Sequence, residues 1–405
     1  MEGETQQLNK SVVIRGFRQF KETCFPNVGK VVKDGLKPVG VKEDPQQGFL
    51  DGLPVEVQFL ILTFLSPTDI LWLGATSRYW RALVSDPLLW KYFLLRDMPY
   101  WPSINHVTMP KLDIPLINED KSTNDTREGA DKEMDSRCDY MTAYLKGCPS
   151  CKQIWLPSHS AFEVVISLFQ SLVPSAKPRY AMFGPGMEQL DVSLFGRLIH
   201  AQDILPRADT QHRQINGIGS GITFMFNNKH KFNILTLYTT NRAERERARF
   251  LQQWSSKNRL FTFEGTDDSG YPIYSPAPQV QQVCQVVDGF IYVANAEPGR
   301  GEGESEVAQI RAVLNFAKGS RPLLVLSCIS HEEQEMVGAT NLQTITDKKT
   351  ARCRTPCVDM AKRLGLPQLV SPWMVQDTVA TSLSGLLDGL SWLLRNSGVR
   401  LSGSQ

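Results

Sequence analysis

Residues 51–101, DGLPVEVQFLILTFLSPTDILWLGATSRYWRALVSDPLLWKYFLLRDMPYW, predict four short helices in succession. The segment SPTD at 66–69 has the order of a helix start, with serine as the cap, proline at the first position and aspartate reaching back. Thr76 or Ser77 can cap a third helix, and the segment SDP at 85–87 can open a fourth. The stretch therefore predicts a small all-α domain.

The first of these helices is apolar on more than one side. Its main stripe consists of Leu53, Val57, Leu60, Ile61, Phe64 and Leu65. Off that stripe lie Val55, Phe59 and Leu62. A helix that is apolar all round is covered from all sides, and a domain of about fifty residues buries too little surface to do this alone. We therefore expect a partner over the first helices, with Leu60 and Phe64 in the domain's own core.

The same stretch closely resembles the F-box. The residues that carry the resemblance are Leu53-Pro54-x-x-Val57, Ile61-Leu62, Phe64-Leu65-Ser66-Pro67-x-Asp69, Trp80 and Asp86-Pro87-Leu88-Leu89-Trp90. F-box domains bind the Skp adaptor of cullin-based ubiquitin ligases, chiefly through apolar residues of the opening helix and the helices after it. Carried over by position, the resemblance implies adaptor contacts by Leu53, Pro54, Val57, Ile61, Leu65 and Pro67. It also implies a cullin scaffold and a RING subunit as partners through the adaptor.

Beyond residue 158 the pattern changes to strands and helices in alternation. A short apolar strand at 179–184 precedes a hairpin at 222–238 with a polar turn. The segments 287–296 and 321–330 are continuous apolar runs, as expected of strands covered on both faces. The last strand and a terminal helix lie within 372–396. This order predicts an open α/β domain with a mostly parallel sheet and one antiparallel edge.

This larger piece resembles the small-GTPase fold, and its tail is similar to the end of ADP-ribosylation-factor GTPases. The turn Gly184-Pro185-Gly186 stands where a phosphate-binding loop would be. Such a loop needs a second glycine, a lysine and a hydroxyl residue at fixed spacing, and the chain has Gln189, Leu190 and Asp191 there. The magnesium-linked and guanine-reading motifs are missing too. We therefore expect no nucleotide hydrolysis and no cofactor, with the glycines serving a sharp turn.

An F-box followed by a GTPase-like domain resembles one family of F-box proteins. The resemblance implies a substrate-recognition subunit of a Skp–cullin–F-box E3 ubiquitin ligase, without a catalytic site of its own. It also implies a telomeric repeat-binding factor and D-type cyclins as substrates. The residues themselves leave two alternatives open. One is a nucleotide-binding GTPase-like regulator that carries an F-box, and the other is an adaptor-bound protein with a non-degradative role.

The last strand is the predicted substrate-binding edge of the sheet, because strand addition suits an open α/β fold. The predicted contact residues are Leu366, Leu369, Val370, Trp373 and Val375.

The N-terminal segment 9–25 places Val13, Phe17 and Phe20 at helical spacing, with Lys and Arg on the opposite side. It is either a surface helix of its own domain or a helix that binds a partner or a second copy. The family resemblance makes it a candidate for homodimerisation.

The domain boundaries follow from these segments. They are 1–25 for the dimerisation helix, 26–50 for a linker, 51–101 for the F-box, 102–157 for a second linker, 158–396 for the GTPase-like domain and 397–405 for a tail. Within the second linker, 117–137 is polar and expected to be mobile.

Composition excludes several classes of function. Forty-four basic residues balance 42 acidic ones, and no run of Lys and Arg indicates nucleic acid as a partner. No apolar window is long enough for a membrane span. The N-terminus lacks a signal peptide, which predicts a cytoplasmic protein, with the nucleus as a second compartment. The eight cysteines are expected to be thiols, and the pairs Cys148/Cys151 and Cys353/Cys357 are too distant in sequence to favour a zinc site.

Overall fold

The structure is a computed structural model that describes residues 50–110, 139–152, 177–215, 219–240, 258–268, 270–298, 303–332, 354–399 and 401. The predicted dimerisation helix with Val13, Phe17 and Phe20, the linker up to residue 49 and the segment 117–137 lie outside the described residues. The chain divides into two compact units. The first comprises 1–98 and 110–152, and the second comprises 99–109 and 153–405.

The first unit is helical, as predicted. Its helices are α1 (Val55–Phe64), α2 (Pro67–Thr76), α3 (Arg78–Val84), α4 (Pro87–Asp97), α5 (Tyr140–Gly147) and α6 (Pro149–Lys152). Side-chain caps explain the short lengths. Ser66 accepts a hydrogen bond from the N–H of Asp69, and Ser77 accepts one from the N–H of Trp80. Asp86 caps α4 in the same way. Each predicted helix start is thus present.

Part of the predicted linker 102–157 is structured. Helix α5 packs on α4 through Tyr144, whose ring centroid lies 5.5 Å from that of Trp90. The hydroxyl of Tyr144 also donates a 2.7 Å hydrogen bond to Asp97. The unit therefore extends beyond residue 101, because the contact between the Tyr144 and Trp90 rings and the hydrogen bond of the Tyr144 hydroxyl hold α5 against α4.

The second unit is an α/β domain. Its strands are β1 (Ser103–Asn105), β2 (Arg179–Phe183), β3 (Arg207–Ile215), β4 (Gly219–Phe226), β5 (His230–Thr236), β6 (Phe261–Thr266), β7 (Pro272–Pro276), β8 (Gly289–Asn295), β9 (Leu323–Ile329) and β10 (Trp373–Val379). Its α-helices are α7 (Gly186–Gln189), α8 (Leu194–His200), α9 (Pro278–Val286), α10 (Gly303–Asn315), α11 (Cys357–Arg363) and α12 (Leu386–Asn396). Two 3₁₀ helices span Met98–Tyr100 and Leu366–Gln368.

Eight strands form one sheet in the order β1-β10-β9-β8-β2-β5-β4-β3. The five strands from β10 to β5 are parallel, which confirms the predicted mostly parallel sheet. Strands β4 and β3 continue the sheet antiparallel, as the predicted hairpin requires. Strands β8 and β9 are buried along their whole length, which agrees with their continuous apolar sequence. Strands β6 and β7 form a separate hairpin.

The prediction that the last strand lies at a sheet edge is wrong. Strand β1 covers β10 in antiparallel register, from Ser103 opposite Gln376 to Asn105 opposite Met374. A three-residue strand from a distant part of the chain therefore occupies the backbone groups that a substrate strand would need. Three of the five predicted contact residues are buried, namely Leu366, Trp373 and Val375. Leu369 is half-buried and Val370 is exposed.

Helix α12 covers one face of the sheet. Its inner side chains are Leu386, Leu390, Leu393 and Leu394, all fully buried. Gly389 lets the helix approach closely, because a Cβ there would lie 3.1 Å from Leu324. Among the described residues, no helix has both the length and the apolar composition that crossing a membrane requires.

Candidate functional sites

The opening helix α1 has a buried side and an exposed side. The buried side carries Gln58, Phe59, Leu62 and Thr63. On the other side the Phe64 side chain is 81% exposed and Val57 is 38% exposed. The expectation that Phe64 lies in the domain's own core is therefore wrong, and Leu60 is only half-buried. Of the three residues off the main stripe, Phe59 and Leu62 face inward and Val55 is half-buried.

None of the six predicted adaptor contacts is buried. Pro54 and Val57 are exposed, and Leu53, Ile61, Leu65 and Pro67 are half-buried. Val57, Ile61 and Phe64 follow one another at intervals of four and three residues, so they share one side of α1.

Trp72 of α2 was missed by the sequence analysis and is 71% exposed. The sequence does contain an indication of it, because Trp72 lies in a run with more apolar side chains than one buried stripe can hold. We call Val57, Phe64 and Trp72, together with the half-buried Ile61 between them, the exposed apolar set.

Polar bonds fix α1 from its inner side. The Gln58 amide donates a 2.8 Å hydrogen bond to the carbonyl of Leu50 and accepts one from the Tyr79 hydroxyl. Toward the end of the helix, Arg96 donates a 2.8 Å hydrogen bond to the carbonyl of Thr63. These partly buried bonds set the rotation of α1 about its axis, and they leave Val57, Ile61 and Phe64 on the opposite side of the helix.

Arg96 is itself held in position. Its guanidinium forms a 2.6 Å ion pair with Asp97 and lies over the Phe93 ring, 4.7 Å from the ring centroid. The hydrogen bond to Asp97 raises the pKa of Arg96. Arg96 therefore stays charged, and the bond between α4 and the end of α1 does not depend on pH in the physiological range.

The turn after β2 is the second candidate site, because its Gly-Pro-Gly sequence resembles a phosphate loop. Gly184 has a positive φ of 122°, and a Cβ there would lie 2.6 Å from the carbonyl oxygen of Val293. A Cβ on Gly186 would lie 2.8 Å from the Val293 side chain. Both glycines are needed so that the turn can pack against β8.

Glu188 fills the position beside this turn. The side chain is buried, and its carboxylate accepts a 2.6 Å hydrogen bond from the N–H of Thr239 and a 2.7 Å bond from the hydroxyl of the same residue. The Thr240 hydroxyl donates a third bond at 3.0 Å. Both threonines follow β5, the parallel neighbour of β2. Ligands of such folds bind at the carboxyl ends of the strands, and here the chain's own carboxylate lies there.

Further side-chain bonds join the same end of the sheet. The Ser330 hydroxyl accepts a hydrogen bond from the N–H of Asp191 at 3.2 Å and donates one to Glu297 at 2.7 Å. The Arg197 guanidinium donates to the carbonyl of Thr381 at 3.0 Å. The described parts of the loops after β2, β8, β9 and β10 are thus tied to one another or to α8.

Asp288 and Asp377 lie near strand ends, and both form bonds that stabilise the fold. Asp377 pairs with Arg354 at 3.0 Å and accepts a hydrogen bond from the Cys357 thiol at 3.0 Å. Burial raises the pKa of both Asp377 and Cys357. Asp288 accepts a 2.9 Å hydrogen bond from the N–H of Arg179. Neither carboxylate is paired with a histidine or a second carboxylate, so the described residues give no acid–base pair here.

Cys148 and Cys151 are buried free thiols at the start of α6. Burial would raise the pKa of Cys148, but hydrogen bonds with Ser150 and Tyr144 outweigh it and lower that pKa. Burial and the neighbouring Cys148 raise the pKa of Cys151 to about 11. Within the part of the chain that the structure describes, no group of three or more His, Cys, Asp or Glu side chains could hold a metal ion. Cys353 of the second pair lies outside it.

Comparisons with known proteins agree with the helical geometry. The F-box-like family model matches residues 50–96. F-box only protein 4 of Mus musculus is 41% identical over 393 residues, covering 95% of this chain and 92% of that protein. The Bos taurus protein of the same name is 44% identical over 390 residues, covering 95% and 92%. The Homo sapiens protein is 43% identical over 356 residues, covering 87% and 84%.

A solved structure of the small GTPase Arl6 (BBS3) from Trypanosoma brucei, bound to a nucleotide analogue, is also similar. It matches with a TM-score of 0.31 and 13% identity, covering 55% of this chain and 98% of that one.

Proposed function

The chain belongs to the F-box only protein 4 family, and from this premise we propose that it is the substrate-recognition subunit of a Skp–cullin–F-box E3 ubiquitin ligase. Its helical unit binds the Skp adaptor, and the adaptor connects it to the cullin scaffold and the RING subunit. The observation that carries this proposal is the exposed apolar set, which lies within the residues matched by the F-box-like model.

The energetics of the exposed apolar set favour a protein partner. Burying a large apolar side chain that is otherwise exposed contributes about 1.5–3 kcal/mol. Phe64 and Trp72 are both more than two-thirds exposed, so each has most of that contribution still available. Trp is also among the residue types that dominate binding energy at interfaces. Leu53, Pro54, Leu65 and Pro67 complete the proposed contact surface.

The second unit, in this proposal, recruits protein substrates and performs no chemistry. The buried Glu188 carboxylate supports this, because it places a negative charge and three satisfied hydrogen bonds where a triphosphate would need positive charge. Ubiquitin transfer then belongs to the other ligase subunits.

The substrates carried over from the family resemblance are a telomeric repeat-binding factor and D-type cyclins. Leu369 and Val370 stay as proposed substrate contacts. Homodimerisation through Val13, Phe17 and Phe20, and residence in the cytoplasm and nucleus, also stay proposals.

Affinity purification of the tagged full chain, followed by mass spectrometry, tests the proposed function. The wild type should bring down the Skp adaptor, the cullin, the RING subunit and the clients. The variant Val57→Asp/Phe64→Asp should lose the three ligase subunits and keep the clients. Leu95→Asp is the matched control, because Leu95 is an exposed leucine of α4. Retention of the adaptor by the double variant would contradict the proposal.

Client half-life separates degradation from the non-degradative alternative. In cells that express the wild type, clients should turn over faster than in cells that express Val57→Asp/Phe64→Asp. Equal half-lives, together with normal adaptor binding by the wild type, would favour an adaptor-bound protein without a degradative role.

A further inference from the structure

The second unit contains a groove that the proposed function has not used. It lies between strand β7, helix α10 and the end of α11 with the residues that follow it, and its volume is about 670 Å³. That volume is within the range of pockets that bind a peptide side chain or a small ligand. All of its lining residues belong to one compact unit.

Apolar side chains line two facing walls of the groove. Tyr271 and Ile273, at the β6–β7 hairpin, are 55% and 43% exposed. Val307 and Ala308 of α10 form the opposite wall and are half-buried. Gly365 has a positive φ of 61°, and a Cβ there would lie 3.4 Å from Val307. The left-handed backbone conformation at this end of the groove therefore favours glycine.

Basic side chains also line the groove. Arg311, Lys362 and Arg363 line the groove. Arg363 is engaged, because it pairs with Glu306 at 3.3 Å. Within the described ranges neither Arg311 nor Lys362 forms a salt bridge, and the Arg311 guanidinium is oriented by a hydrogen bond to the neutral side chain of Gln368. Two positive charges beside an apolar wall are thus without an acidic partner in the described part of the chain.

One acidic side chain also lines the groove. Asp267 lines the hairpin end of the groove. Its carboxylate accepts a 2.8 Å hydrogen bond from the backbone N–H of Tyr271, within the hairpin turn. With Arg363 paired to Glu306, two basic side chains and one acidic side chain of the lining remain, so the groove keeps a net positive charge and is complementary to a negatively charged ligand.

We propose that this groove binds an acidic peptide segment of a protein substrate. Arg311 and Lys362 pair with its carboxylates, and an apolar side chain of the same segment enters between the hairpin and α10. Clusters of basic side chains that recognise acidic motifs are a recurring mode of peptide recognition. The inference rests on the proposed function for the origin of the peptide, but the binding step can be measured without the ligase.

Fluorescence anisotropy with the full chain bound to its Skp adaptor tests the binding step. The probe is a labelled peptide of sequence GSEEFDEEGS, and the neutral comparison is GSQQFNQQGS. The acidic peptide should bind at least about tenfold more tightly than the neutral one, and an increase in salt should weaken it, because exposed ion pairs are screened. Equal binding of the two peptides would overturn the proposal.

Charge reversal locates the site. Arg311→Glu/Lys362→Glu should weaken binding of the acidic peptide by about tenfold or more, since two attractive contacts become repulsive. Lys229→Glu/Lys231→Glu is the matched control, because it makes the same change in charge at exposed positions near the β4–β5 turn. If the control variant loses as much affinity as the groove variant, the effect is one of net charge and the proposal fails.

A second variant fills the groove without a change in charge. Ala308→Trp should weaken binding of the acidic peptide severalfold and leave the thermal unfolding midpoint close to that of the wild type. Normal peptide binding by Ala308→Trp would show that the apolar wall is not used.

These outcomes are separable from failure of the proposed function. Groove variants should keep the adaptor and lose clients that carry acidic segments, whereas adaptor variants should do the reverse. A groove variant that keeps the adaptor and all clients would refute the groove and leave the ligase role standing.

Discussion

The outer side of α1 and the carboxyl end of β2 are opposite cases. Both have sequences typical of a binding site. At α1, Val57, Phe64 and Trp72 are exposed among the residues that the structure describes, while Gln58 and Arg96 hold the inner side in place. At the end of β2, Glu188 and its threonine partners fill the site with bonds from the chain itself.

Exposed apolar area distinguishes a surface that binds a partner from a turn that only keeps the backbone shape of a binding site. A surface that binds a partner keeps exposed apolar area, because that area supplies the binding energy. A turn that serves only the fold satisfies its own polar groups, because a buried donor without a partner costs free energy. On this criterion we expect α1 to bind a protein and the Gly184 turn to bind no nucleotide.

The largest expected effect is on adaptor binding. Val57→Asp/Phe64→Asp should reduce affinity for the Skp adaptor by at least about 1000-fold, because hot-spot residues are worth about 2 kcal/mol or more each and 1.4 kcal/mol is a factor of ten. Biolayer interferometry with immobilised adaptor would measure it. The control Leu95→Asp should bind like the wild type. If the double variant binds the adaptor with an affinity within tenfold of the wild type, α1 and the turn after β2 do not differ in function as we expect.

The two sides of α1 should differ in stability. Leu62→Ala removes a fully buried side chain and should lower the free energy of unfolding of the helical unit by about 3 kcal/mol. Phe64→Ala, on the exposed side, should change it by less than about 0.5 kcal/mol. Denaturant unfolding followed by tryptophan fluorescence gives both values. Equal losses would mean that Phe64 is part of the core.

We expect Glu188 to contribute to the free energy of unfolding and not to ligand binding. Glu188→Ala leaves the N–H of Thr239 and two hydroxyls without their acceptor and should cost about 2 kcal/mol. Glu188→Gln, which keeps one acceptor, should cost less. Thermal unfolding measures the loss, and fluorescent GTP analogues should bind neither variant. Gain of nucleotide binding by Glu188→Ala would show that the carboxylate was blocking a competent site.

The smallest effect should come from the cap of α2. Ser66→Ala removes the hydrogen bond to the N–H of Asp69 and should cost about 1 kcal/mol. Ser66→Asp, which can cap the helix as well, should restore most of the loss. If both substitutions leave unfolding unchanged, the end of α1 and the start of α2 do not depend on this cap.

Local sequence signals predicted the parts of the fold that local chemistry determines. Ser66, Ser77 and Asp86 cap helices because their side chains reach N–H groups two or three residues away. The parallel strands were predictable because β8 and β9 are apolar throughout. The rotation of α1 was not, because a helix that is apolar all round gives no preferred side; Gln58 and Arg96 decide it through partners elsewhere in the domain.

Long-range pairing accounts for the remaining errors. Strand β1 has three residues and pairs with β10 some 270 residues later, so the edge predicted at Trp373 and Val375 is covered. The sequence after Gly184 lacks the residues of a phosphate loop, but the role of Glu188 depends on bonds to Thr239 and Thr240 about fifty residues away. The β6–β7 hairpin, with its groove, carries no motif.

Calorimetry distinguishes a protein-binding chain from a nucleotide-binding one. The purified full chain is titrated with the Skp adaptor and, in a parallel cell, with GTP in the presence of magnesium. We expect saturable binding of the adaptor at one site, abolished by Val57→Asp/Phe64→Asp, and no saturable heat with GTP. Saturable GTP binding by a chain that gives no heat with the adaptor would refute the proposed function.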